Sequence, residues 1–60
     1  MTTFATIQRL TTALDALTAA RHELTEAGEI QAATRVGRAL AEVRHAKRQA
    51  WVRYSKGARS

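Results

Sequence analysis

The chain contains neither cysteine nor proline, and it has three glycines among its 60 residues. Without cysteine, a disulfide cannot hold the fold together, and neither a thiolate zinc site nor a cysteine nucleophile can form. Without proline, and with few glycines, long helices are not interrupted. Alanine, the residue with the highest helix propensity, is abundant. These features together predict an all-α fold.

Long apolar runs are also missing from the sequence. No segment approaches the ~20 apolar residues that a membrane-spanning helix needs. The first residues lack the basic start and the apolar stretch that mark a secretory signal. We therefore expect no membrane association and a cytoplasmic location.

A first helix is predicted over about residues 3–27. A hydroxyl of Thr2 or Thr3 can cap its start by accepting a hydrogen bond from a free amide of the first turn. Gly28 stands where a left-handed residue would end the helix, a conformation that glycine adopts at little cost. Arg21 occupies the one missing step in a stripe of large apolar residues spaced by three, four and seven. The stripe consists of Ile7, Leu10, Leu14, Leu17 and Leu24.

A second helix is predicted over about residues 29–55, followed by a frayed tail over 57–60 within a single domain of residues 1–60. Its apolar positions are Ala33, Val36, Leu40, Val43, Ala50 and Tyr54, with Trp51 beside them. Counting outward from Gly28 places Leu17 opposite Leu40. The same count gathers the aromatic residues at the open end, so the sequence predicts a two-helix antiparallel hairpin.

Two other helical architectures share parts of this pattern. The segment Glu23–Arg44 (ELTEAGEIQAATRVGRALAEVR) resembles a tetratricopeptide hairpin in its alanine and glycine placement. That resemblance implies stacked repeats, but it covers about a third of the chain, and such stacks usually need three repeats. In size and hairpin plan the chain also resembles the Rop-like plasmid RNA-binding bundles, without a residue motif that assigns it to them. A DNA-binding helix-turn-helix would need a further apolar segment to brace short helices.

A single hairpin is a thin structure, so we expect a homodimer. A buried large apolar side chain contributes ~1.5–3 kcal/mol, whereas ordering costs ~1.5 kcal/mol per residue. Small residues at Ala33, Gly37 and Ala41 repeat every four positions and would let another helix approach closely. The sequence thus favours a four-helix bundle with coiled-coil packing. The residues assigned to its core and dimer contacts are Ile7, Leu10, Leu14, Leu17, Leu24, Val36, Leu40, Val43, Trp51 and Tyr54.

Catalytic chemistry is not expected, because the sequence contains no convincing nucleophile, carboxylate pair or metal cluster. His22 and His45 lie six and seventeen residues from Gly28, which separates them along the hairpin. No glycine-rich phosphate loop is present. We therefore predict no catalytic residue, no metal and no cofactor.

The charge distribution is strongly asymmetric. From Glu29 onward eight basic residues face two acids, and no acid follows Glu42. Such a surface can neutralise phosphates, so nucleic-acid binding is the leading expectation for this small regulatory protein. A protein partner for an adaptor, inhibitor or regulatory subunit of the same fold is the alternative. The residues predicted to contact nucleic acid are Arg44, Arg48, Arg53, Lys56 and Arg59.

Overall fold

The computed structural model describes residues 2–59, with side chains placed as far as Gly57. Within this range the chain forms two helices, α1 (Phe4–Glu26) and α2 (Ile30–Arg59), and no strand. The helices pack against each other as a hairpin. The predicted all-α hairpin is therefore confirmed.

The start of α1 is set by a single threonine. Thr3 has an extended backbone conformation, with φ −113° and ψ 165°. The amide of Thr6 donates a hydrogen bond of 3.2 Å to Oγ1 of Thr3. This bond satisfies one of the four amides that lack a partner in the first helical turn. Of the two predicted caps, the structure selects Thr3.

The end of α1 is closed by Gly28, as the sequence predicts. Gly28 has a positive φ of 80°. Its amide donates to the carbonyl of Thr25 at 3.1 Å, and the amide of Glu29 donates to the carbonyl of Leu24 at 2.8 Å. These two bonds satisfy carbonyls that the end of the helix leaves free, in the manner of a Schellman motif. The chain then reverses and α2 begins at Ile30.

The second helix is longer than predicted, because it continues to Arg59 instead of ending near Ser55. The sequence predicts a frayed tail from Gly57 onward. A glycine ends a helix by adopting a left-handed conformation, and among the described residues Gly28 alone has a positive φ. Gly57 stays within α2, which has 30 residues against 23 in α1. Of the predicted tail, Ser60 lies outside the described residues.

The interior of the hairpin is thin. Its buried residues are Ile7, Ala33, Leu40 and Ala50, two of which are alanines. The molecule measures 49 × 15 × 12 Å and has a radius of gyration of 14.1 Å. A compact domain of this length would have a radius of about 10 Å. Most of the predicted core is therefore only half-buried, namely Leu10, Leu14, Leu17, Leu24, Val36, Val43 and Tyr54.

Three aromatic rings close the open end of the hairpin. The ring centroids of Phe4 and Tyr54 lie 6.1 Å apart, which confirms the predicted pairing of the start of α1 with the second helix near its end. Trp51 stacks on Tyr54 with a centroid distance of 5.6 Å and an angle of 16° between the rings. Phe4 and Trp51 each remain 50% exposed. Trp51, which the sequence assigns to the core, is thus only half covered within one chain.

Candidate nucleic-acid interface

A groove of about 1160 Å³ lies between the two helices near the open end. Each helix builds one wall with side chains at positions i, i+4 and i+7, the spacing that places residues on one face. We call this surface the basic groove. Its α1 wall consists of Phe4, Ile7, Gln8, Thr11 and Thr12, and its α2 wall consists of Ala41, Arg44, His45, Lys47, Arg48 and Trp51.

The charge of the basic groove has one sign. Arg44, Lys47 and Arg48 line it, and none of its eleven lining residues is an acid. Within residues 2–59, the contact between a basic and an acidic side chain joins Nε2 of His22 to Oε1 of Glu26, at 3.8 Å near the opposite end of the hairpin. The three cations of the groove therefore have no carboxylate partner among the described residues. A negatively charged ligand could therefore bind these cations without first breaking an ion pair.

Lys47 occupies a position in the apolar stripe of α2. Its side chain is half-buried and lines the basic groove. A buried ammonium without a partner would cost several kcal/mol. A lysine avoids that cost when its aliphatic stem lies along apolar neighbours and its charge extends to water. The half-burial of Lys47 beside the groove agrees with this arrangement.

The structure brings together two of the five residues predicted to contact nucleic acid. Arg44 and Arg48 line the basic groove, whereas Arg53 and Lys56 are exposed outside it. Since each helical residue turns by about 100°, Arg53 lies about half a turn around α2 from Arg44. Arg59 ends α2, and its side chain lies outside the described part of the chain.

Sequence reasoning missed the α1 wall. Phe4, Gln8 and Thr11 repeat the spacing of Arg44, Arg48 and Trp51, but they carry no charge, and the charge pattern directed attention to α2 alone. The hydroxyls of Thr11 and Thr12 donate to the carbonyls of Ile7 and Gln8 within α1, at 3.0 and 3.1 Å. These two hydroxyls are thus already bonded within α1. The side-chain amide of Gln8, with two donors and a carbonyl acceptor, is the group on this wall that suits a polar ligand.

A stripe of apolar side chains runs along the other side of the hairpin. Ala13 lies about half a turn around α1 from Phe4, and Ala39 lies about 140° around α2 from Arg44. Several side chains there recur every seven residues and are only half-buried. Part of their apolar surface therefore remains uncovered in the single chain. We call this surface the Leu/Ala face. It comprises Leu10, Leu17, Leu24, Ala13 and Ala20 from α1, and Val36, Val43, Ala32 and Ala39 from α2.

Comparisons with protein-family models, curated proteins and solved structures gave no match. Among the described residues, no three histidine or acidic side chains stand close enough to hold a metal ion together. Neither α1 nor α2, over that same range, combines the length and the apolar character needed to cross a bilayer.

Proposed function

We propose that this chain is a small regulatory protein, not an enzyme, that binds nucleic acid in the basic groove. One observation carries the proposal: Arg44, Lys47 and Arg48 converge on a concave surface whose lining contains no acid. Lys and Arg side chains that neutralise phosphates release condensed counterions, which supplies most of the affinity in nonspecific binding.

The residue types on the α2 wall suit phosphate. An arginine guanidinium has a planar fork of donors that matches phosphate oxygens in pairs, while a lysine ammonium acts as a point charge on a flexible stem. Arg44 and Arg48 are exposed and one helical turn apart. Their guanidinium groups can therefore contact neighbouring phosphates of one strand.

The second part of the proposal is a homodimer formed through the Leu/Ala face. The elongated shape and the half-buried leucines of the single hairpin support it. Packing a second copy there would bury side chains that repeat every seven residues, the period of helices in a bundle. Because this face points away from the basic groove, the resulting four-helix bundle would carry two grooves on its outer sides.

Binding is tested by fluorescence anisotropy with labelled DNA and RNA oligonucleotides over a series of salt concentrations. We expect affinity to fall linearly on a log–log plot, with a slope of roughly −0.9 per phosphate contact on duplex DNA and −0.7 on a single strand. The absence of binding at low salt, where the attraction is strongest, would reject the proposal.

A protein partner is the alternative, and two exposed aromatic side chains on the walls of the basic groove favour it. Phe4 and Trp51 are each 50% exposed there. An amphipathic helix with an acidic rim could insert apolar side chains between them while its carboxylates meet Arg44 and Arg48. Binding to an acidic helical peptide, without binding to oligonucleotides, would support a protein partner instead.

A further inference from the structure

Trp51 combines two properties within the basic groove. Its ring stacks on Tyr54 with only 16° between the planes, and half of its surface remains open. It also lines the groove beside Arg48, three residues earlier on the same helix. The indole is therefore supported on one face by a second ring and accessible from the groove.

The spacing along α2 matches a short stretch of one nucleic-acid strand. At 1.5 Å per residue, Arg48 lies ~4.5 Å and Arg44 ~10.5 Å from Trp51 along the helix axis. Successive nucleotides of a stacked strand are about 3.4 Å apart. The distance from Trp51 to Arg44 thus covers about three nucleotides.

We propose that the basic groove binds single-stranded nucleic acid, with one unpaired base stacked on Trp51 and the adjoining phosphates on Arg48 and Arg44. This inference rests on the proposed function and specifies the class of ligand. A base has a π-face whatever its identity, so stacking on an aromatic side chain tolerates different sequences. Gln8, on the opposite wall, is placed to donate to the edge of the base or to a phosphate.

A duplex fits the same surface poorly. Its bases already stack on one another, so none offers a free face to Trp51 except at an end. Helices that recognise duplex DNA protrude and enter the major groove, whereas the cations here lie along an open groove formed by both α1 and α2. The indole of Trp51 is exposed and lies near the guanidinium groups of Arg44 and Arg48. This arrangement favours a single strand.

The supporting ring adds rigidity to the site. Tyr54 contacts both Trp51 and Phe4 of α1, with centroid distances of 5.6 and 6.1 Å. An indole held in this way loses less conformational entropy when a base stacks on it than a freely rotating side chain would. The three rings thus form a platform anchored to both helices.

The wild-type protein provides the first test, because Trp51 is its single tryptophan. Emission from Trp51 is followed while oligo-dT, oligo-U or a loop-free DNA duplex of equal phosphate number is added at low salt. We expect quenching and tighter binding with the two single strands, whose comparison separates DNA from RNA. Equal affinity for the duplex, or binding without quenching, would overturn the inference while the proposed function stood.

Variants of Trp51 provide the second test. Trp51→Leu should weaken single-strand binding about 5- to 150-fold, the range that base–aromatic stacking supplies, with the salt slope unchanged. Trp51→Phe keeps a ring and should retain most of the affinity. Val52→Ala is the matched control, since Val52 is exposed beside Trp51 but does not line the groove.

Two further outcomes separate the possible failures. If Trp51→Leu binds single strands as tightly as the wild type, stacking is overturned and binding by charge remains. If no oligonucleotide binds at low salt, the inference and the proposed function both fail. Should Trp51→Leu lose helical circular dichroism, the Trp51→Phe variant and the wild-type quenching decide the question.

Discussion

The side chain of Arg21 lies across Gly37, so that a Cβ added at Gly37 would stand 3.6 Å from Arg21 Cδ and 3.9 Å from its Nη1. Arg21 occupies the missing step in the apolar stripe of α1, and the facing residue of α2 has no side chain. The sequence suggests Ala33, Gly37 and Ala41 as one surface for another helix. The structure divides them: Ala33 is buried in the hairpin, Gly37 adjoins Arg21, and Ala41 lines the basic groove.

Replacing Gly37 by alanine should stabilise the hairpin. A separation of 3.6 Å is ordinary van der Waals contact, and alanine is about 1 kcal/mol more favourable than glycine inside a helix. We expect Gly37→Ala to add ~0.5–1 kcal/mol to the free energy of unfolding, measured with urea. Gly57→Ala is the control, because a Cβ there meets nothing within 4 Å. A loss at Gly37 beside a gain at Gly57 would mean that Arg21 cannot adjust.

Replacing Gly28 by valine should destabilise the turn. Its φ of +80° is strained for a β-branched residue even though a Cβ would meet nothing within 4 Å. We expect Gly28→Val to cost ~1–2 kcal/mol in thermal or urea unfolding. Gly28→Asn should cost less, since asparagine tolerates the left-handed region. Equal stability of the wild-type and valine proteins would show that the chain reverses direction elsewhere.

The Leu/Ala face should hold a dimer at micromolar concentration. Light scattering should give twice the mass of one chain, and the melting temperature should rise with protein concentration. Leu17→Glu places a charge on this face and should yield monomers. Ala16→Glu, at an exposed neighbouring position, serves as its control. A well-folded wild-type monomer at every concentration would contradict the proposed bundle.

Leu40 tests the hairpin core in a different way. It is 2% exposed within one chain, so its burial does not depend on a second copy. We expect Leu40→Ala to cost ~2–5 kcal/mol and to reduce the helical circular dichroism. A change below ~1 kcal/mol would indicate that this packing contributes little to stability.

Neutralising the α2 wall should alter the salt dependence of binding. Arg44→Gln combined with Arg48→Gln removes two contacts, so the log–log slope should flatten by roughly 1.4 for a single strand. Arg53→Gln combined with Lys56→Gln removes the same charge outside the groove and should change the slope less. Equal effects would mean that net charge, and not the groove, governs binding.

Lys47→Leu should separate stability from binding. Lys47 is half-buried on the apolar stripe and has no acidic partner among residues 2–59. A leucine would bury more apolar surface there and should stabilise the protein by up to ~1 kcal/mol. The same change should weaken oligonucleotide binding, because it removes one cation from the groove. A large loss of stability would instead reveal a role for the charge inside the fold.

The local features of this protein follow from the sequence by itself. Thr3 caps α1 and Gly28 ends it because these signals act on hydrogen bonds between residues three to five positions apart. The spacing of the apolar residues predicts that Ile7 and Leu40 lie on the sides of the helices that meet. Counting from Gly28 predicts that Phe4 lies near Tyr54. The sequence does not predict that α2 continues past Gly57 to Arg59, where no positive φ interrupts the helix.

The composition of the basic groove was decided by the tertiary structure. The charge run of α2 supplies its cations, and the turn of about 100° per residue already separates Arg44 from Arg53. Which of these two sides meets α1 depends on how the helices pack. Gln8 and Thr11 line the same groove as Arg44 and Arg48 because α1 packs antiparallel against α2 in this register. Likewise, Trp51 lies on the apolar side in sequence, yet it stays half exposed since the thin open end offers it Tyr54 and little else. Such contacts depend on the distance and rotation between two helices, which no local pattern encodes.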